Sequence, residues 1–351
     1  MLPYIFLAIT PLLVGLLFAG KIEKHEHKKK LILFVFGFTM FIMIAFRSRF
    51  VGSTDSYHYY QNWIDYSRMD LIAVREGIKE SRMESGFIYT VWFLGQFIKN
   101  AQFIFIFTGA LFSISICRFI YKNSEDIMLS CVMFVTLGLY VFMVQGLRQG
   151  IAMSILLFSV EFVKKRKIIL FLLLVLLATQ FHQTAIVFVI VYFLYNLELK
   201  PITLLIYSAL GDFMIVFSSA LVRFGNKYFE REYDYEIEGG GFVATAIYAI
   251  ILLATLLFAR KNKENKSFAM FVYMTITGFI FYVMRYFDAM IVERISFYFM
   301  FGQLILLPSV INCLEPKERQ VVKLAVYILC ILLFIYRLNG SDLVPFRFFW
   351  Q

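Results

Sequence analysis

Apolar runs fill most of this chain, and the polar positions gather in short clusters between them. The runs fall at 2–20, 31–46, 101–120, 127–145, 148–163, 167–181, 183–197, 201–222, 242–259, 268–287, 293–312 and 320–337. Each approaches the length at which a helix crosses a bilayer, which predicts about twelve transmembrane helices. None alternates with a period of two, so a membrane β-barrel is excluded. The expectation is an all-α, polytopic membrane protein, with residues 1–351 forming a single integral membrane domain. Three runs (148–163, 167–181 and 183–197) are short for a hydrocarbon core of about 30 Å, so one or two of them are expected to be broken or half-membrane helices. Phe87–Ile98 is shorter still and reads as a re-entrant or interfacial, amphipathic segment. The first run lacks a basic flank and is too long for a signal peptide, so it is expected to stay in the mature chain.

Composition agrees with the pattern: 61% of residues are hydrophobic and 17% charged, and the mean hydropathy is +0.76. The net charge of +10 is spread over many short loops, which argues for membrane topology and against a nucleic-acid partner. Lysine clusters at 21–30, 164–167 and 260–266 place those loops in the cytoplasm. Both ends of the chain, the segment 47–100 and the loop 223–241 then lie outside. On this topology 15 Lys and 4 Arg are cytoplasmic, whereas the outer side holds 3 Lys and 12 Arg. Topology needs only positive charge. Arginine chosen on the other side points to its rigid donor fork, which suits carboxylate or phosphate oxygens.

The polar clusters on that outer side carry the candidate chemistry. Arg47 and Arg49 open the segment Arg47-Ser-Arg49-Phe-Val-Gly52-Ser-Thr-Asp55-Ser-Tyr57-His58-Tyr59-Tyr60-Gln-Asn-Trp63. Its plain reading is an interfacial anchor of snorkelling arginines and headgroup-level aromatics. Glu84 opens the short helix, where the helix dipole alone favours an acid. Arg148 and Gln149 sit in a glycine-flanked turn between two runs, and His182 occupies a polar island between two others. Arg285 and Asp288, with Glu293, Arg294 and Tyr298, flank one outer turn. Arg–acid pairs of that kind are commonly structural. Together they suit transfer from a phosphate-activated donor. Arg47, Arg49, Arg148, Arg285 and Arg294 would stabilise a departing pyrophosphate, and His182, Glu84 or Asp55 would take a proton from an attacking hydroxyl. His182 is the first choice as base, Glu84 the second, and Asp55 a structural partner of Arg49. Tyr57, Tyr60 and Trp63, beside Tyr59 and Tyr66, offer flat faces to sugar rings, and Gln149 and Tyr298 are further glycan contacts. The acidic, aromatic loop 228–238 reads as a solvated lid first and as a glycan-contacting surface second. The His25–His27 pair lies among lysines that would repel a cation, no metal or cofactor motif is present, and the four cysteines read as small apolar residues.

The order of these motifs resembles the EpsG-like family. The resemblance is carried by Arg49-Phe-Val-Gly52-Ser-Thr-Asp55-Ser-Tyr57, Glu84-Ser-Gly86-Phe87, Arg148-Gln149-Gly-Ile-Ala152, His182-Gln-Thr184 and Arg294-Ile-Ser-Phe-Tyr298. It covers roughly residues 30 to 310, and this chain has one residue inserted where the family shows Gly-Thr-Asp. The resemblance implies a Wzy-type polymerase of bacterial exopolysaccharide, capsule or O-antigen synthesis, in the cytoplasmic membrane with its site facing outward. It implies a GT-C-like architecture without a metal or other cofactor. The partners it implies are an undecaprenyl-pyrophosphate-linked oligosaccharide donor and acceptor, the bilayer and a chain-length regulator protein. Three other readings compete: a GT-C transferase of single sugars, a flippase for the same lipid-linked glycan, and a glycan acyltransferase with His182 as base.

Overall fold

The computed structural model describes residues 1–18, 25–52, 54–81, 83–229, 241–262, 264–287 and 290–351. Lys21, Lys24, Arg82 and Asp288, and most of the acidic loop 228–238, lie outside the described residues. Among the described residues every regular element is helical, and one isolated antiparallel bridge joins Arg47 to Phe348. In chain order the helices begin with α1 (Leu2–Leu17), α2 (His25–Ala45), α3 (Thr54–Tyr66), α4 (Leu71–Glu80), α5 (Ser85–Phe97) and α6 (Phe103–Asn123). There follow α7 (Ile127–Thr136), α8 (Leu139–Gln145), α9 (Leu147–Lys164) and α10 (Ile168–Thr179), then a 3₁₀ stretch at Gln183–Ile190 and one turn, α11 (Val191–Leu194). The remainder are α12 (Pro201–Val216), α13 (Ser218–Phe229), α14 (Phe242–Phe258), α15 (Lys266–Met284), α16 (Met290–Phe299), α17 (Gln303–Asn312) and α18 (Pro316–Leu338).

Four stretches among the described residues are long and apolar enough to cross a membrane: Phe103–Asn123, Lys266–Met284, Val292–Asn312 and Pro316–Leu338. A fifth is the pair α7 and α8, bent by 52° at a break. Gly138 makes that bend with φ near +100°, a conformation that costs glycine nothing and other residues 1–2 kcal/mol or about that. Shorter apolar helices, α1, α10, α12, α14 and the stretch Gln183–Leu194, make up the rest. The molecule is therefore a multi-pass, all-α membrane protein in which several apolar runs fold as short or broken pieces. The run 183–197, one of the three short ones, opens as a 3₁₀ helix at Gln183–Ile190 and continues as the single turn Val191–Leu194.

The chain forms two compact units. The first comprises Met1–Phe162, Ile169–Ile186 and Val321–Gln351; the second comprises Val163–Ile168 and Val187–Gln320. In the first unit α2 lies along α6, and small residues set their spacing. A Cβ on Gly37 would come within 2.8 Å of Cys117 Sγ, and one on Gly109 within 3.3 Å of Ile44 and Ala45. Close backbone approach of this kind is how helices gain packing in lipid, where the hydrophobic effect does not drive them together. In the second unit α15 is the central helix, buried along most of its length against α12, α14 and α16. Exposed apolar rows on α18 (Val321, Leu324, Leu332) and α12 (Leu205, Leu210, Phe213) suit hydrocarbon rather than water.

Candidate active site

Three segments far apart in the chain meet in the first unit: the start of α5, the start of α9 and the turn that follows α10. Residue Glu84 is the cap of α5, with extended backbone (φ −66°, ψ 138°), and its carboxylate makes no bond to its own helix. One oxygen, Oε2, accepts a hydrogen bond and ion pair from Arg148 Nη1. The other, Oε1, lies 3.4 Å from His182 Nδ1 and accepts the backbone N–H of Gln183 at 3.3 Å. That last bond caps the 3₁₀ stretch at its first residue. Both Glu84 and His182 are only 5% exposed.

Local sequence explains why these segments can meet. The N–H of Phe87 is shared between the carbonyls of Glu84 (3.1 Å) and Gln180 (3.2 Å), so the first turn of α5 docks on the turn after α10. Gly86 permits the contact, because a Cβ there would lie 2.6 Å from the Gln180 carbonyl oxygen. On the α9 side, Gly150 fits between the Phe112 ring and the Met143 carbonyl, which brings Arg148 to the carboxylate. Burial pushes the Glu84 carboxyl up, but the hydrogen bond with His182 and then the Arg148 charge outweigh it and hold it down at about 2. Tyr59 completes the group. Its hydroxyl hydrogen-bonds Arg148, and burial raises its pKa.

Arg148 is not fully spent in this arrangement. Its Nε is buried with no partner among the described residues. A buried donor left over beside a carboxylate–imidazole pair is an unfinished hydrogen bond that a ligand oxygen can complete. No three His, Cys, Asp or Glu side chains among the described residues are gathered to hold a metal ion.

Of the other expected site residues, several change role. Arg47 is 1% exposed. Its two terminal nitrogens donate to the carbonyls of Val51 and Val144, both at 2.9 Å, and it covers the Phe105 ring at 4.5 Å. It therefore acts as an internal strut, its two terminal nitrogens committed to backbone carbonyls and only its buried Nε without a partner among the described residues. Arg49 is half-buried among ring faces, at 5.0 Å from Phe50, 5.1 Å from Tyr60 and 5.7 Å from Tyr57. Asp55 is exposed in the first turn of α3, and no ion pair joins it to Arg49 among the described residues. Trp63, expected as a sugar platform, is fully buried, and its indole N–H donates to Ile98 O at 3.0 Å. Gln149 (3% exposed) and Tyr298 (1%) are likewise buried, not open to a glycan. In the second unit Arg285 pairs with Glu293 Oε1 at 2.7 Å and meets the Tyr282 hydroxyl at 3.1 Å, while Arg294 is half-buried on α16.

Sequence reasoning missed the particular place of Tyr59, and the missing signal was helical period. Ser56, Tyr59, Trp63 and Tyr66 form the buried stripe of α3, while Tyr57 and Tyr60 lie off it. Only the latter two keep accessible faces.

With this geometry in place, comparison with known proteins adds one finding. A family model described as the EpsG family matches residues 30–348, a range that includes Glu84, Arg148 and His182. No curated protein and no solved structure matches the chain.

Proposed function

The chain belongs to the EpsG family, and from that premise we propose that it joins lipid-linked oligosaccharide repeat units by en bloc glycosyl transfer. Membership supports, in kind, a polysaccharide polymerase-like membrane glycosyltransferase; the donor, the chemistry and the residues are our reading. The donor is an undecaprenyl-pyrophosphate-linked oligosaccharide, the acceptor a second such lipid, and the site faces outward from the bacterial cytoplasmic membrane. The observation that carries the proposal is the convergence of Glu84, Arg148 and His182 from three segments into one buried group.

The chemistry follows from the roles these groups can hold. The acceptor hydroxyl oxygen attacks the anomeric carbon of the donor glycan, and the bond from that carbon to the pyrophosphate oxygen breaks. The electron pair leaves with the lipid pyrophosphate, and the hydroxyl proton passes to the imidazole. Glu84, ionised throughout the working pH range, accepts from Nδ1 of His182 and so turns Nε2 into the proton acceptor. Arg148 presents its unspent donor edge to the leaving phosphate, and Arg49, set over three ring faces, supplies a second fork.

The test is reconstitution of the purified protein with a synthetic undecaprenyl-pyrophosphate oligosaccharide, read as a ladder of products. His182→Gln keeps size and some hydrogen bonding but cannot take the proton, and should slow turnover by about 10²–10⁴-fold while donor binding survives. Arg148→Lys keeps the charge and loses the fork, and should fail nearly as badly as Arg148→Ala. A wild-type rate in His182→Gln removes the base from this scheme, and full polymer in Arg148→Lys removes the fork.

A further inference from the structure

Arg49 sits on a tight turn whose stem borrows its hydrogen bonds from a distant part of the chain. The turn closes with Val51 N–H donating to Ser48 O at 3.0 Å, which puts Arg49 and Phe50 at its tip. On one side of the stem, Ser48 N–H donates to Arg347 O at 2.8 Å, and Phe349 N–H donates to Phe46 O at 2.9 Å. On the other side, Gly52 N–H donates to Asp342 O at 3.1 Å. Leu343, fully buried, packs beside Gly52: a Cβ there would lie 3.5 Å from Leu343 Cδ2. Gly52 itself has φ near +98° and stands so close to Arg47 Nη1 that a Cβ would come within 2.6 Å of it.

We infer that residues 339–351, which follow α18, are a positioning strap for the turn that carries Arg49. Residues 46–52 belong to no helix, so their backbone groups need partners from outside, and the strap supplies them on both flanks. Arg47 works with the strap from within. By holding Val51 O and Val144 O together it ties the same turn to α8, three residues before Leu147 opens α9 and four before Arg148. The strap contributes no group to the reaction. It fixes where the Arg49 fork points, and an error of about 1 Å in such a fork can cost on the order of 10²-fold in rate.

The inference rests on the proposed role of Arg49, and the experiment separates the two. Phe349→Pro deletes one N–H of the strap, whereas Phe349→Ala keeps it and removes only a half-exposed ring. In the full chain, Phe349→Pro should speed hydrogen exchange at the amides of Ser48 and Gly52 and lower turnover by about 10²-fold. Phe349→Ala should leave both close to wild type. In an Arg49→Lys background, where the fork is already gone, Phe349→Pro should cost little more, because the two changes act through one element. Unchanged exchange in Phe349→Pro overturns the strap. An equal further loss of turnover in the Arg49→Lys background overturns the positioning role and leaves general destabilisation. Full turnover in Arg49→Lys and Arg49→Ala overturns the assignment of Arg49, while exchange still reports whether the strap holds the turn. Should Phe349→Pro not fold, Leu343→Ala loosens the strap beside Gly52 and is read in the same assays, with the same direction expected.

Discussion

At the scale of the residue, Glu84 sets the character of the candidate site. A carboxyl this deeply buried would ordinarily be pushed toward its neutral form, yet its hydrogen bond with His182 and the charge of Arg148 hold it at about 2 against an ordinary 4.5. Its folded pKa lies below its unfolded one, so the group stabilises the fold above pH 4.5 or thereabouts, and that stability is lost as pH falls toward about 2. Acid unfolding of the detergent-solubilised protein should therefore contain a loss within that window, and Glu84→Gln should lack it while starting from a lower stability at neutral pH. Identical acid profiles for the two proteins would show that the carboxylate is not held this way. The same charge bears on catalysis. It also orients the imidazole of His182, so Glu84→Gln should lower the maximal rate. Legibility at this scale was uneven for a physical reason. Arg148, His182 and Glu84 stood out because charge and imidazole beside apolar runs are costly. Arg47 and Trp63 carried the same signal but are buried for structural ends, with donors given to carbonyls. Residue type announces that a polar group needs a partner; it does not announce whether the partner is substrate or backbone.

At the scale of the element, the site depends on the way α5 begins. Its first turn touches the turn after α10 closely enough that Gly86 has room for a hydrogen and nothing larger. Gly86→Ala must push the Gln180 carbonyl away, and with it the His182 ring and the Gln183 N–H that meet Glu84. Overpacking of this kind costs about 1–3 kcal/mol, and the displaced imidazole should lower turnover by well over the factor that the lost stability alone explains. Gly77 provides the control: it lies inside α4 with open space around its Cβ position, so Gly77→Ala should be neutral or slightly stabilising. Thermal melts and product ladders on both variants decide the matter, and a fully active Gly86→Ala would mean that the close approach is dispensable. Apolar runs announced most helices, including the short one at Ser85–Phe97, because twenty residues of hydrocarbon have few alternatives in a bilayer. The bend at Gly138 and the 3₁₀ stretch at Gln183–Ile190 were legible only as shortness. Where an apolar run breaks is set by a single glycine or by a capping carboxylate from a distant segment, and neither enters a hydropathy pattern.

At the scale of the whole molecule, the uneven use of lysine and arginine becomes spatial within the first unit. Glu26 accepts from Tyr121 at 3.0 Å, joining the start of α2 to the end of α6, and Asp126 pairs with Lys323 where α7 and α18 begin. Lys29, Lys122 and Lys323 belong to this end. At the other end, Gln102 donates to the carbonyls of Ala45 and Arg47 at 2.8 and 2.9 Å, and Arg337 reaches Thr136 O at 3.5 Å. Arg47 and Arg337 belong there, and the Val144 bond of Arg47 brings the start of α9, with Arg148, to the same end. These helix ends mostly sort the two basic residue types, with Lys99 at the second end and Arg118 toward the first as exceptions, as expected if lysine fixes the cytoplasmic face and arginine serves the opposite one. The prediction is a labelling pattern on intact cells, with single cysteines in a Cys-free background and an impermeant maleimide. Glu76→Cys on α4, at an exposed position, should react, and Lys122→Cys, equally exposed at the end of α6, should react only after the membrane is opened. In the second unit Lys227→Cys should behave as the former and Glu264→Cys as the latter. The two units are tested independently, so each can fail alone. A reversed pattern in the first unit would put Glu84, Arg148 and His182 on the cytoplasmic face. There they would meet cytoplasmic nucleotide-sugar donors and not translocated lipid-linked repeats, and the proposed polymerisation would give way to a reaction on that side of the membrane.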